Sequence, residues 1–345
     1  PATAMLRSLV GSEMCIRDSN NTAVGYQALT ANTTADNNTA LGYPALTANT
    51  TGINNTAVGM NALTANTTGD RNTAFGQGSL AANTTADSNT AVGQDALAVN
   101  TTGHSNTAVG KGVMAANTTG HSNVAVGYLA IEGITTANYN VCVGRAAGGT
   151  LTTGSSNVLI GYAAGAAITT VTSCVLIGHG AGINNTVSNL TAVGAGAAYS
   201  NTTGTQNTAV GDNCLYSCTT GQENTAVGTN ALYAITTAQQ CTAMGRYANM
   251  LCTGNQNSSF GYNAGYHTTT GTNNSNFGHG AAPSSATASN EVTLGNSSVS
   301  SLRCNDTSIS SLSDRRDKTD IVDLPVGLDF VNKVRAVKFK WQTRE

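Results

Sequence analysis

Chemistry on this chain begins with a serine and a lysine set close together in Ser313-Asp314-Arg315-Arg316-Asp317-Lys318. A serine hydroxyl is a weak nucleophile until a base takes its proton. A lysine serves as that base when desolvation or neighbouring cations, here Arg315 and Arg316, lower its pKa. The same residues also read as the charged start of a helix with Ser313 as its N-cap. Taken alone, the residues favour that plainer reading.

Other reactive types are scattered. Of the 8 cysteines, Cys15 lies near the N-terminus and six fall in different columns of a repeat. Cys142 takes an alanine slot and Cys214 a small slot after a glycine. Cys174 and Cys241 replace a strand asparagine, and Cys218 and Cys252 a turn asparagine. Cys214 and Cys218 are spaced C-x-x-x-C, but no His or Cys pair completes a zinc set. All are read as small semi-polar fillers, and no metal or cofactor is expected. His104 and His121 share a turn column with Asp36, Asp70 and Asp87. A metal or pH-sensitive pair is weighed there against a solvated turn, and the turn is expected. Tyr26, Tyr43, Tyr128, Tyr162 and Tyr262 form a further column. Carbohydrate binding is weighed there against packing or subunit contact, and packing is favoured.

The elements that hold these residues come from one repeat. Aligned on N-T-A-V-G, the last glycine falls at Gly25, Gly42, Gly59 and so on to Gly295, in seventeen copies spaced by 17 residues with two single deletions. The residue before the glycine is apolar (Val24, Leu41, Phe75, Met244) and makes one column per strand face, while the alanine between it and the preceding threonine lies on the other. These alanine faces are expected to be buried by side-by-side association. The glycine fits a corner needing positive φ or no Cβ. Ala28 and Leu29, with their equivalents, are candidates for a second wall. Ala48-Asn49-Thr50-Thr51-Gly52 supplies a return turn whose asparagines ladder from rung to rung.

The fold expected over 20–299 is therefore all-β, a parallel β-solenoid of about seventeen 17-residue turns with two short strands each. Its sixteen steps of about 4.8 Å make a rod of roughly 75–80 Å. Only 9% of residues are charged and 5% aromatic, which argues against a compact enzyme core. Strict periodicity argues against disorder. Near-neutral charge gives no case for nucleic acid, and no apolar run reaches membrane-spanning length. The repeats contain no paired carboxylates, phosphate loop or metal set. Consecutive threonines such as Thr33 and Thr34 diverge, which weakens an ice-binding reading.

Two ends differ. Residues 1–19 are out of register, and Glu13-Met14-Cys15-Ile16-Arg17-Asp18-Ser19 resembles the translation of a transposon end used in sequencing libraries, so this segment is expected to be non-native. Residues 300–312 read as a connector. From Ser313 to Glu345 there are eight basic and six acidic residues, against four basic ones (Arg71, Lys111, Arg145, Arg246) between residues 20 and 300. Leu328, Val331 and Val334 follow helical spacing after Pro325, and Val337, Phe339 and Trp341 alternate as a strand.

Two resemblances follow. The N-T-A-V-G-x-x-A-L unit resembles the β-roll repeats of trimeric autotransporter adhesin heads, and more closely the repeats of phage and prophage tail fibres, which implies a homotrimer. The S-D-R-R-D-K-T-D-I segment, with G-L-D-F-V-N-K-V and V-K-F-K-W after it, resembles the intramolecular chaperone of self-cleaving trimeric tail spikes and fibres. That resemblance implies that Ser313 is the cleavage serine, Lys318 its partner and Leu312–Ser313 the bond cut. The family commonly has proline where this chain has Ala336, and 313–345 spans only the opening part of such a domain. It is therefore expected to be truncated and unable by itself to trimerise or cleave. The expected role is a virion tail-fibre shaft whose partners are its own copies and a host-surface receptor, with a glycan among the candidates. It excludes nucleic acid and membrane insertion. The alternatives are a bacterial surface adhesin and, more weakly, an ice-binding solenoid.

Overall fold

A computed structural model describes residues 20–303. Seventeen three-residue strands, β1 (Thr22–Val24) to β17 (Val292–Leu294), form one sheet among the described residues. Each strand pairs in parallel with the next in sequence, residue for residue, as in Ala23↔Ala40 and Val24↔Leu41. The chain is an all-parallel β-solenoid with one turn per repeat, as the periodicity implies.

Each turn has one strand, not the expected two. The return segment repeats residues in the left-handed region, Leu29 at φ 54° and Asn37 at φ 61°, and extended backbone cannot include them. That wall is still bonded from rung to rung: Leu29 N–H donates to Ala45 C=O at 3.0 Å, and Leu46 to Ala62 likewise. The backbone is thus satisfied without a second strand. The corner glycine meets both of its expected demands. Gly25 has φ +133°, and a Cβ there would lie 2.7 Å from the carbonyl oxygen of Gly42 on the next rung.

The strand faces are the reverse of those expected. Ala40, Ala57, Ala74 and Ala91 point inward and are fully buried. The valine column points out, with Leu41 46% and Phe75 55% exposed. Where leucines such as Leu46 and Leu63 fill the cavity from the opposite wall, the strand has room inside for little more than a methyl group.

Asparagine fills the remaining interior. From the strand side, Asn38 Nδ2 donates to Gly52 C=O at 2.9 Å; from the turn side, Asn49 Nδ2 donates to the same oxygen at 2.9 Å. Each column also ladders: Asn38 N–H donates to Asn21 Oδ1 at 2.8 Å, and Asn66 Nδ2 to Asn49 Oδ1 at 2.8 Å. The turn ladder stops at Asn117, because the next residue in the column is Ile134. Asn117 Oδ1 is accordingly buried without a partner.

Around β9 (Val158–Ile160) and β10 (Val175–Ile177) the two walls exchange volume. Leu159 and Leu176 replace the strand alanine, and Gly148, Gly165 and Gly182 replace the facing leucine. A Cβ on Gly148 would lie 2.6 Å from Leu159 Cδ1, and one on Gly182 2.7 Å from Leu176 Cδ2. Total volume is conserved, which is what close-packed interiors tolerate best.

Two predictions follow from this packing. Leu159→Ala should lower stability by about 2–5 kcal/mol, and adding Gly148→Leu should recover part of it in urea unfolding. If the double variant is less stable than Leu159→Ala alone, the exchange account fails. Asn66→Leu should cost about 1–3 kcal/mol through its stranded partners, and Asn117→Leu less, because it also removes an orphaned acceptor. Equal melting shifts in the two variants would contradict the ladder.

Candidate functional site

With the interior occupied by packing, anything this coil recognises must meet its outer columns. The first is the sheet face. The residues flanking the inward alanine, threonine or valine on one side and the apolar residue before the glycine on the other, both point outward. Val124, Val126, Val141 and Val143 are each 36–37% exposed, so near β7 (Val124–Val126) and β8 (Val141–Val143) the face is apolar in both columns. Phe260 and Phe277 stack on it at 5.3 Å. Threonine takes one of the two columns in ten other strands, as at Thr39 and Thr191, and serine does so at Ser258 and Ser275. The outward threonines are the face an ice-binding reading would need, and they give way to valine from β7 to β10.

The second is the column one residue past the corner glycine, where the tyrosines gather. Tyr26 and Tyr43 pack at 5.4 Å, and Arg145 sits between Tyr128 and Tyr162. Stacking along the axis accounts for the packing role expected of these rings; they remain exposed at the surface.

The third is the turn column of His104 and His121, whose rings stack at 4.7 Å and 5°. His121 also meets the edge of Tyr139 at 5.2 Å. The column carries turn chemistry: Asp70 N–H donates to Asp87 Oδ1 at 2.8 Å, and His121 N–H to Asn138 Oδ1 at 2.8 Å. Arg71 bridges Asp70 at 4.0 Å and Asp87 at 3.5 Å. Among the described residues no three His, Cys, Asp or Glu side chains converge as metal ligands.

The six described cysteines are buried and free. Burial pushes the Cys214 thiol up to about 12 and Cys218 up to about 11, and it also raises Cys142 and Cys174. Cys241 and Cys252 share a hydrogen bond that lowers the first and raises the second. Cys174 Sγ bonds Val187 C=O at 3.4 Å and Cys241 Sγ bonds Gly254 C=O at 3.3 Å, as asparagine does in other turns. These two thiols occupy the only two turns of sixteen residues. The lost residue follows Asn185 or Cys252 in the return turn, and the bond then spans 13 residues instead of 14. The deletions were visible in the sequence; pairing them with the cysteines would have marked both thiols as fitted substitutes.

Ser313 and Lys318 lie outside the described residues, as do Leu312, Arg315 and Arg316, so the candidate catalytic pair has no geometry here. Residues 313–345 match the family described as chaperone of endosialidase (Peptidase_S74). No curated protein matches the chain. The solenoid and this family match together suggest a structural, tail-spike- or fibre-like protein.

The raised thiols set a pH dependence. Folded Cys214 and Cys218 keep their protons above the ordinary value of 9.0, while the unfolded chain loses them. Their stabilising contribution is full below pH 9 and is lost as pH climbs from there toward 11 and 12. Thermal midpoints should fall as pH rises from 9 toward 11, and less steeply in a Cys214→Ala, Cys218→Ala variant. Identical slopes would rule the thiols out.

Proposed function

We propose that this chain is the shaft of a phage-type tail spike or fibre, assembled as a homotrimer under a C-terminal chaperone that cuts itself away at Leu312–Ser313. One observation carries the reading: a long parallel β-solenoid is followed in the sequence by a segment, 313–345, that matches the chaperone of endosialidase family. A chain of stacked turns has two open ends and an outer face rich in valine, and copies that align beside one another bury that face. A chaperone that gathers three chains before the coils form would set their register.

Ser313 acts as the nucleophile in this reading. Its hydroxyl adds to the Leu312 carbonyl as Lys318 takes the proton. The Leu312–Ser313 C–N bond then breaks as that proton passes to the Ser313 nitrogen, and water hydrolyses the ester left on Ser313 Oγ, releasing the segment from Ser313 onward. Its role is mechanical and adhesive, carried in a virion toward a host-surface receptor. The rival is a bacterial surface adhesin of the trimeric autotransporter type, which shares the stacked repeats but ends in a coiled coil and membrane barrel.

The test uses the full product of the gene that carries this chain, measured as intact mass beside Ser313→Ala and Lys318→Met. A fragment ending at Leu312 should form in the parent and disappear in both variants. Uncut parent protein would remove the catalytic pair and put the adhesin on equal footing. Sedimentation equilibrium should give a trimer that Val143→Glu on the outer face dissociates.

A further inference from the structure

One outer column carries positive charge that no ion pair neutralises among the described residues. In five successive turns the residue past the corner glycine is Lys111, Tyr128, Arg145, Tyr162 and His179, all exposed. The Arg145 guanidinium lies 5.8 Å from the Tyr128 ring centre and 5.4 Å from that of Tyr162, and its NH1 donates to Tyr162 Oη at 3.2 Å. His179 stacks on Tyr162 at 5.1 Å and 11°. Over these turns the corner glycine separates this column from valine or isoleucine on one side, and glycine, alanine or leucine stands on the other. Ion pairs among the described residues involve only Arg71.

We propose that the stripe from Lys111 to His179 binds an acidic polysaccharide laid along the coil axis. It gives the adhesive part of the fibre reading a place and a chemistry, and rests on that reading only for the polymer's source. Stacking decides what the stripe can recognise. Arg145 and His179 both pack against Tyr162 and Arg145 lies over Tyr128, which makes these rings poor platforms for a neutral sugar ring or a base. What points outward is a row of donors: an ammonium, phenol hydroxyls, a guanidinium and imidazole nitrogens. Donors repeating every rung, about 4.8 Å apart, suit a chain whose acid groups also repeat. Apolar flanks leave the charge less screened than on an ordinary polar surface. Two full cations in five turns are too few for nucleic acid, whose binding grows with the number of phosphates neutralised.

The experiment is calorimetric titration of the full chain with dextran sulfate, unsulfated dextran and a single-stranded DNA oligonucleotide, at two salt concentrations. Dextran sulfate should bind, more weakly at the higher salt, and the other two should not. Lys111→Gln with Arg145→Gln should weaken binding by at least about tenfold. Arg145→Lys should retain most of it, and Arg71→Gln, whose guanidinium is already paired, should change it by less than about twofold. Equal binding by the double variant overturns the site. Equal affinity for dextran or for DNA overturns the assignment to acidic polysaccharide. Parent protein that does not bind dextran sulfate overturns the proposal whatever its oligomeric state. A monomer that does bind leaves the stripe standing and removes the fibre reading instead.

Discussion

In a standard turn of this coil the carbonyl at the end of the return segment points inward and receives two asparagine amides, one from the strand side and one from the turn side. Buried polar groups are tolerable only when their partners are present, and each turn provides for this with residues it carries itself. Glycine supplies that carbonyl at Gly52, where a Cβ would lie 2.6 Å from Asn49 Oδ1, and alanine supplies it in other turns, as Ala86 does to Asn72 and Asn83. The strand alanines, the inward leucines and the small return-turn residues all leave room for the two amides. An interior built this way needs few large apolar side chains, which reconciles an ordered fold with 5% aromatic residues.

Departures from the standard turn come in compensating pairs. Where the return turn loses a residue, cysteine takes the strand asparagine's place and its shorter side chain still meets the carbonyl. Where leucine enters the strand wall, glycine appears in the opposite one. At the last turn Glu291 replaces the strand asparagine, and its carboxylate accepts from Ser284 N–H and Oγ, which holds its pKa down. The constraint is a fixed internal volume with fixed polar partners, and several residue sets satisfy it.

The period, the number of turns, the corner glycine and the asparagine ladders were legible in the sequence, because each is a statement about residues seventeen apart. Which strand face lies inside was not. Alternation separates Ala23 from Thr22 and Val24 but does not say which side is wet, and the ordinary preference for burying valine points the wrong way. Coil diameter decides it, and diameter follows from the opposite wall. The second strand was misjudged for a related reason: Leu29 and its equivalents are buried apolar wall residues, as a strand would supply, yet they stand at positive φ. Among the surface columns, the tyrosines were found from spacing, but the arginine between two of the rings was not, since Arg145 appears in the sequence only as a break in that column.

In-register pairing of each strand with the next, with every wall bonded only to its neighbours one turn away, makes length a free variable. Duplicating or excising one whole repeat in the gene leaves every surviving interface as it was and displaces the far end by one strand spacing, about 4.8 Å. Misaligned recombination between near-identical repeats produces just such changes. A lineage carrying this coil can therefore retune how far it reaches in small uniform increments, as a ruler is cut at its marks, without inventing any new packing.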